Sequence, residues 1–232
     1  MKKILALLIV LSFGFGCAHP ARFTYPLDMN IKQLKNIPPD VKIAVLPTVD
    51  ERPLNNINYS DREMYKVPFK LYGSMEYNKP ETETKFLSIN KYDCNISDDI
   101  ARAIAYHFQK AGVAKTVVFD NGGLADITDY TLHSTIKSST YKGKIYSYYL
   151  SYLGKCFWIF GFPAGQSQIN LELELVLVDR DGNKVWNVFI KDDLKIPQGL
   201  YYHWGKDMDG LSQSLQESLD SVIKNHPIPI IK

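Results

Sequence analysis

Cysteine is scarce in this chain, with three in 232 residues, so a disulfide-stapled scaffold is excluded. Charge of one sign is also missing. There are 27 basic and 25 acidic residues, and two of the lysines, Lys2 and Lys3, fall in a segment read below as a removed leader. What remains balances at 25 and 25 (27 − 2 = 25), which gives no electrostatic support for binding a nucleic acid. The five histidines, His19, His107, His133, His203 and His226, are scattered, and none is spaced with a cysteine or carboxylate as a metal ligand set requires. No Gly-x-Ser-x-Gly elbow is present. Neither Gly122-Gly123 nor Gly161–Gly165 opens a capped helix carrying a lysine, so a phosphate loop is lacking. No repeat at solenoid spacing occurs. The expectation is a non-enzymatic protein without cofactor or metal.

What is present begins with residues 1–17, MKKILALLIVLSFGFGC. Two lysines precede an apolar run from Ile4 to Phe15, then Gly16 and Cys17, the three parts of a secretory signal. The run is shorter than the ~20 apolar residues a membrane span needs. A cysteine directly after the small residue resembles a bacterial lipoprotein signal, although Gly14 stands where that family prefers Leu. The resemblance implies removal of residues 1–16 and acylation of Cys17. Several acyl chains anchor stably, because each buried methylene contributes ~0.8 kcal/mol. Ala18 stands where that family's sorting rule reads Asp as retention in the inner membrane, so the resemblance also implies the outer membrane, with the chain on its periplasmic face.

Residues 17–40 read as an irregular tether, broken by Pro20, Pro26, Pro38 and Pro39. A single domain is expected over 41–226. It opens with a strand, Val41–Pro47, followed by a long polar loop region, 48–93. Asp50, Glu51 and Arg52 at the strand's end read as a turn with a local ion pair. Asn95–Ala111 predicts a helix, with Asn95 or Ser97 as cap, an apolar face from Ile96 to Ala111, and Gly112 as its stop. Short strands follow at Thr116–Asp120 and Tyr130–Lys137. Strict alternation from Ile169 to Leu177, a turn at Asp179–Asn183 and a return over Val185–Lys191 predict a hairpin. A second amphipathic helix covers about Met208–Lys224, and residues 227–232 form an extended tail. The fold expected is α+β in two layers: a mixed sheet of about five strands, two helices on one face, and an aromatic-rich insert.

The segments Val41–Pro53, Ala111–Phe119, Gly161–Gly165 and Asp179–Trp186 resemble small bacterial envelope lipoproteins of the YajG type. More distantly, they resemble the curli secretion lipoprotein and the TolB amino-terminal domain. The likeness implies a lipid-anchored accessory or assembly component with a protein partner or self-association. An auxiliary lipoprotein holding a small hydrophobic or lipid ligand, and a hydrolase with an unseen site, are the alternatives.

One stretch exceeds the needs of a plain domain. Residues 145–165 form an apolar insert whose core, IYSYYLSYLGKCFWIFGF, carries one charge, Lys155. A connector buried on the sheet accounts for it. So does an exposed patch for a membrane or protein partner built from Tyr148, Tyr149, Tyr152, Phe157, Trp158 and Phe160. Trp158 is the better core residue, and the Tyr148–Tyr149 end the better exposed one, because hydroxyls need water or a partner. With Cys17 acylated, Cys94 and Cys156 remain as a candidate disulfide in an oxidising compartment.

Overall fold

A computed structural model describes residues 19–26, 31, 34, 40–54, 58–123, 127–226 and 228–229. The leader and Cys17 lie outside the described residues. The fold is α+β. Among the described residues its ten strands are β1 (His19–Arg22), β2 (Lys42–Val45), β3 (Val49–Asp50), β4 (Asn58–Ser60), β5 (Tyr72–Tyr77), β6 (Ile89–Asp93), β7 (Thr116–Phe119), β8 (Tyr130–Tyr146), β9 (Gly165–Asp179) and β10 (Lys184–Gln198). The described α-helices are α1 (Ile96–Ala111), α2 (Lys155–Ile159) and α3 (Asp209–Asn225).

Eight strands form one mixed sheet organised around β8. Along one edge β8 pairs antiparallel with β9 over its whole length, and β9 pairs in turn with β10. Along the other edge its partners change. Leu132 faces Val45 of β2, Thr135 and Ile136 face β3, and residues 141–146 pair antiparallel with β5. A bulge at Lys137, between Ile136 and Ser138, shifts the register. Buried positions therefore change parity from Leu132, Ser134 and Ile136 to Ser139, Tyr141, Gly143 and Ile145. The expected strand Tyr130–Lys137 is thus the first half of one twice as long.

Both long helices pack on the face carrying Ile169, Leu171, Leu173, Leu175 and Leu177. Asn95 caps α1 by accepting from the Asp98 amide at 3.3 Å, and Asp99 returns the bond to the Asn95 amide at 2.9 Å. Gly112, at φ 74°, supplies the left-handed turn that ends it. Burial of Ile100, Ile104 and Phe108 against Leu211, Leu215 and Leu219 closes the core.

Three expectations change. The sheet has eight strands rather than five, with a separate two-stranded pair, β1 and β6. The region 48–93 is not a loop. It holds β3 to β6 and two short 3-10 helices, because Gly73, Met75 and Tyr77 alternate inward in β5 and cover the second half of β8. The segment after Cys17 is not a free tether where it is described. β1 pairs in parallel with β6, the Phe23 amide donates to Asp93 O at 2.9 Å, and the Tyr25 hydroxyl lies 2.7 Å from His107 Nδ1. Ala21, Phe23, Tyr25, Ile31 and Leu34 pack on the core, so the segment is a strap over α1. In the tail, Ile228 is buried.

Candidate functional site

The insert begins where β8 runs out at Tyr146 and ends where β9 starts at Gly165, so it caps one end of the sheet. Its base is packed. Trp158 is buried and donates Nε1–H to Tyr146 O at 3.1 Å, while the Tyr148 hydroxyl donates to Pro163 O at 2.7 Å. The rings of Tyr148, Phe157 and Phe162 meet edge to face or tilted, at centroid distances of 5.1–6.1 Å. Gly154 lies directly on the Ser147 backbone, where any Cβ would clash.

The outer surface is apolar and exposed: Phe160 is 79% exposed and Leu153 69%, with Tyr149 and Tyr152 at 55%. Residues far away in sequence extend it. Phe69 is 87% exposed, and its amide donates to Tyr149 O at 3.0 Å. Tyr201 is 69% exposed, and its hydroxyl donates to Ile159 O at 2.9 Å. Of seventeen large apolar side chains exposed among the described residues, ten belong to residues 67–69, 149–162 or Tyr201, so the exposure is concentrated at one end. Five of the six non-glycine residues with left-handed backbone, Phe69, Tyr148, Tyr149, Ser151 and His203, lie there too. Such conformations cost ~1–3 kcal/mol each and cluster at functional surfaces.

Of the six contact candidates read from the sequence, Tyr149, Tyr152 and Phe160 are exposed, and Tyr148 and Phe157 are half-buried. Trp158 is a core residue, as its own split expectation had it. Leu150 and Leu153 lie in the insert but were not among the named candidates, and Phe69 and Tyr201 were missed because nothing in their local sequence signals that the fold gathers them.

Lysines stand among the rings. Lys155 Nζ sits over Tyr65, Tyr152 and Trp158 at 5.4–5.8 Å, and Lys66 Nζ over Tyr65 and Tyr152 at 5.8 and 6.0 Å. Lys66 also pairs with Glu63. Among the described residues, Lys155 makes no ion pair. Burial, and then the neighbouring Lys66 and Arg62, hold its ammonium below the ordinary lysine value.

Beneath this end lies a buried polar latch. Asp207, fully buried, accepts from the Leu87 and Ser88 amides at 3.0 Å, from the Tyr141 hydroxyl at 2.9 Å, from Ser167 Oγ at 3.3 Å, and from Ser88 Oγ. Gln198 bonds both Ser167 and Ser88, and the Gly205 amide donates to Ser88 Oγ at 2.8 Å. The latch joins the turn before β6 to β8, β9, β10 and the approach to α3. Burial and the Asp207 charge drive the Tyr141 phenol well above its ordinary value, so it stays a donor.

The Asp50–Arg52 turn is the local ion pair expected, and more. Buried Arg52 forks onto Asp50 at 2.9 and 3.0 Å, reaches Glu81, and donates to Ser139 at 2.7 Å, which ties β3 to β8. Cys94 and Cys156 do not pair. Both are free thiols, Cys94 beside Tyr92 at the junction of β6 and α1, and Cys156 exposed on α2. Burial pushes the Cys94 thiol up, which keeps it protonated and unreactive. Among the described residues no three His, Cys, Asp or Glu side chains gather to hold a metal. Two open grooves, of about 260 and 310 Å³, run along β10 beside α3, and neither lies under the insert. No described helix is long and apolar enough to cross a membrane.

No family model and no curated protein matches the chain. Among solved structures it is similar to the lipoprotein GNA1162 from Neisseria meningitidis. The identity is 15%, 80% of this chain and 99% of that chain are covered, and the TM-score is 0.25, too low to carry an argument about fold or role.

Proposed function

We propose that the protein is a lipid-anchored lipoprotein of the bacterial envelope, held to the outer membrane by acyl chains on Cys17, and that it works as a non-enzymatic accessory or assembly component. The observation that carries this reading is the leader that ends on Gly16-Cys17, followed by a chain that enters a folded domain at His19. The polar clusters support a role without chemistry. Asp207 and Arg52 are each satisfied by neighbouring groups that tie elements together, and among the described residues the exposed apolar side chains concentrate at the insert end.

The test is Cys17→Ser. The variant is expected to lose lipid labelling and to leave the membrane pellet in high salt and carbonate, or to keep its leader. A variant that still pellets with outer membrane under those conditions and without its leader contradicts the anchor.

A further inference from the structure

His19 opens β1 opposite Ile89, and β1 runs parallel to β6. Its ring packs on Gly205, where a Cβ would approach His19 Cε1 to 2.9 Å. Gly205 lies four residues after Tyr201, whose hydroxyl is bonded to the insert at Ile159 O. The Gly205 amide is fixed to Ser88, next to Leu87, whose side chain packs against Gly165 at the insert's exit. His19 therefore sits at the capped end of the sheet, not at the hairpin end near Asp181. Cys17 precedes it by two residues, and two residues span at most about 7 Å. On the anchored reading above, acyl chains on Cys17 would start within that reach of His19.

We infer that the insert end of the sheet is seated on the phospholipid leaflet that holds the Cys17 acyl chains. The exposed side chains Phe69, Leu150, Leu153, Phe160 and Tyr201 lie at the headgroup–acyl boundary, and Lys66 and Lys155 meet the lipid phosphates. This rests on the anchored reading above and adds an orientation to it. The side chains suit that depth: Tyr is apolar with a polar tip, and Phe and Leu bury fully. The charge suits it as well. Residues 62–70 and 144–162 carry Arg62, Lys66, Lys70, Lys144 and Lys155 against the single carboxylate Glu63. Lys155, in no ion pair among the described residues and acted on more strongly by Lys66 and Arg62 than by Glu63, gains a counter-charge from a phosphate.

The test uses the mature lipidated protein in phosphatidylethanolamine–phosphatidylglycerol vesicles. A nitrobenzoxadiazole dye is placed on Cys156, which shares a helical face with Ile159 and Phe160, in a Cys94→Ala background. A second sample carries the dye on Asp181→Cys, with Cys94→Ala and Cys156→Ser. The Cys156 dye is expected to emit blue-shifted and to be quenched by headgroup-proximal doxyl lipid, while the dye at 181 does neither. Leu153→Asp with Phe160→Asp, both at exposed positions and expected to leave the melting temperature unchanged, is expected to return the Cys156 dye to aqueous emission. Equal emission at the two sites, or insertion unchanged in the double variant, overturns the seating. Mass spectrometry of the amino-terminal peptide separates the two failures. Without acyl chains the anchor and the seating fall together, whereas with acyl chains and an aqueous Cys156 the seating alone falls.

Discussion

The Tyr25 hydroxyl lies 2.7 Å from Nδ1 of His107, joining the segment that follows Cys17 to the middle of the first long helix. His107 Nε2 lies 3.2 Å from Asp220 Oδ1 on α3, off the line of a hydrogen bond. Burial holds the imidazole below the ordinary histidine value despite the Asp220 charge. The folded state thus takes up a proton less readily than the unfolded chain. Stability is full above the unfolded value, ~6.5, and falls as pH drops below it. Melting curves from pH 7.5 to 5 are expected to show this fall, reduced in His107→Leu. Tyr25→Phe, which strands Nδ1, is expected to cost ~1–3 kcal/mol and to speed proteolysis of the amino-terminal segment. A pH-independent melting temperature in the native chain contradicts this role for His107.

Asp207 is the polar centre of the domain. Asp207→Ala strands the Leu87 and Ser88 amides and takes one partner from each of the Tyr141 and Ser88 hydroxyls, and is expected to cost ~3–5 kcal/mol, a large part of a ~5–15 kcal/mol total. Tyr141→Phe, which removes one donor, is expected to cost ~1–2 kcal/mol. Urea melts of the two variants check the order. Equal and small losses contradict the latch.

Acid is expected to weaken the Arg52 cluster over a definite window. The guanidinium beside Asp50 lowers its carboxyl to about 2. The contribution is present above the unfolded value, ~3.9, and is lost as pH falls towards 2. With Asp50 one-third exposed to water, about 1 kcal/mol is at stake. Asp50→Asn is expected to flatten the stability profile between pH 4 and 2, and an unchanged slope contradicts the pairing.

Two neighbours in the insert should behave oppositely. Trp158→Ser removes a buried ring and a hydrogen bond and is expected to cost ~3–5 kcal/mol. Phe160→Ser, at 79% exposure, is expected to change stability by less than about 0.5 kcal/mol. Thermal melts separate them, and similar melting temperatures would sink the division of the insert into base and surface.

Much of the frame was legible because its signals are periodic. The α1 helix from Asn95 to Gly112, and the hairpin through Asp179–Asn183, follow from caps and alternation. The rest depends on contacts distant in sequence. The bulge at Lys137 reverses the inward parity, so Ser138–Tyr146 reads as a break when only local alternation is followed. Gly73, Met75 and Tyr77 are too few to announce β5 without its partner on β8. The apolar surface was half legible. The insert's composition pointed to Tyr149, Tyr152 and Phe160, but Phe69 and Tyr201 join it through backbone and hydroxyl bonds to Tyr149 and Ile159.

The anchor is the claim on which the rest stands, and intact mass spectrometry of the protein purified from its native membrane tests it most directly. The account predicts a chain that begins at Cys17, heavier than its sequence by a diacylglyceryl group and an amide-linked acyl chain. A chain that begins elsewhere, or one with Cys17 as a free thiol, would contradict it.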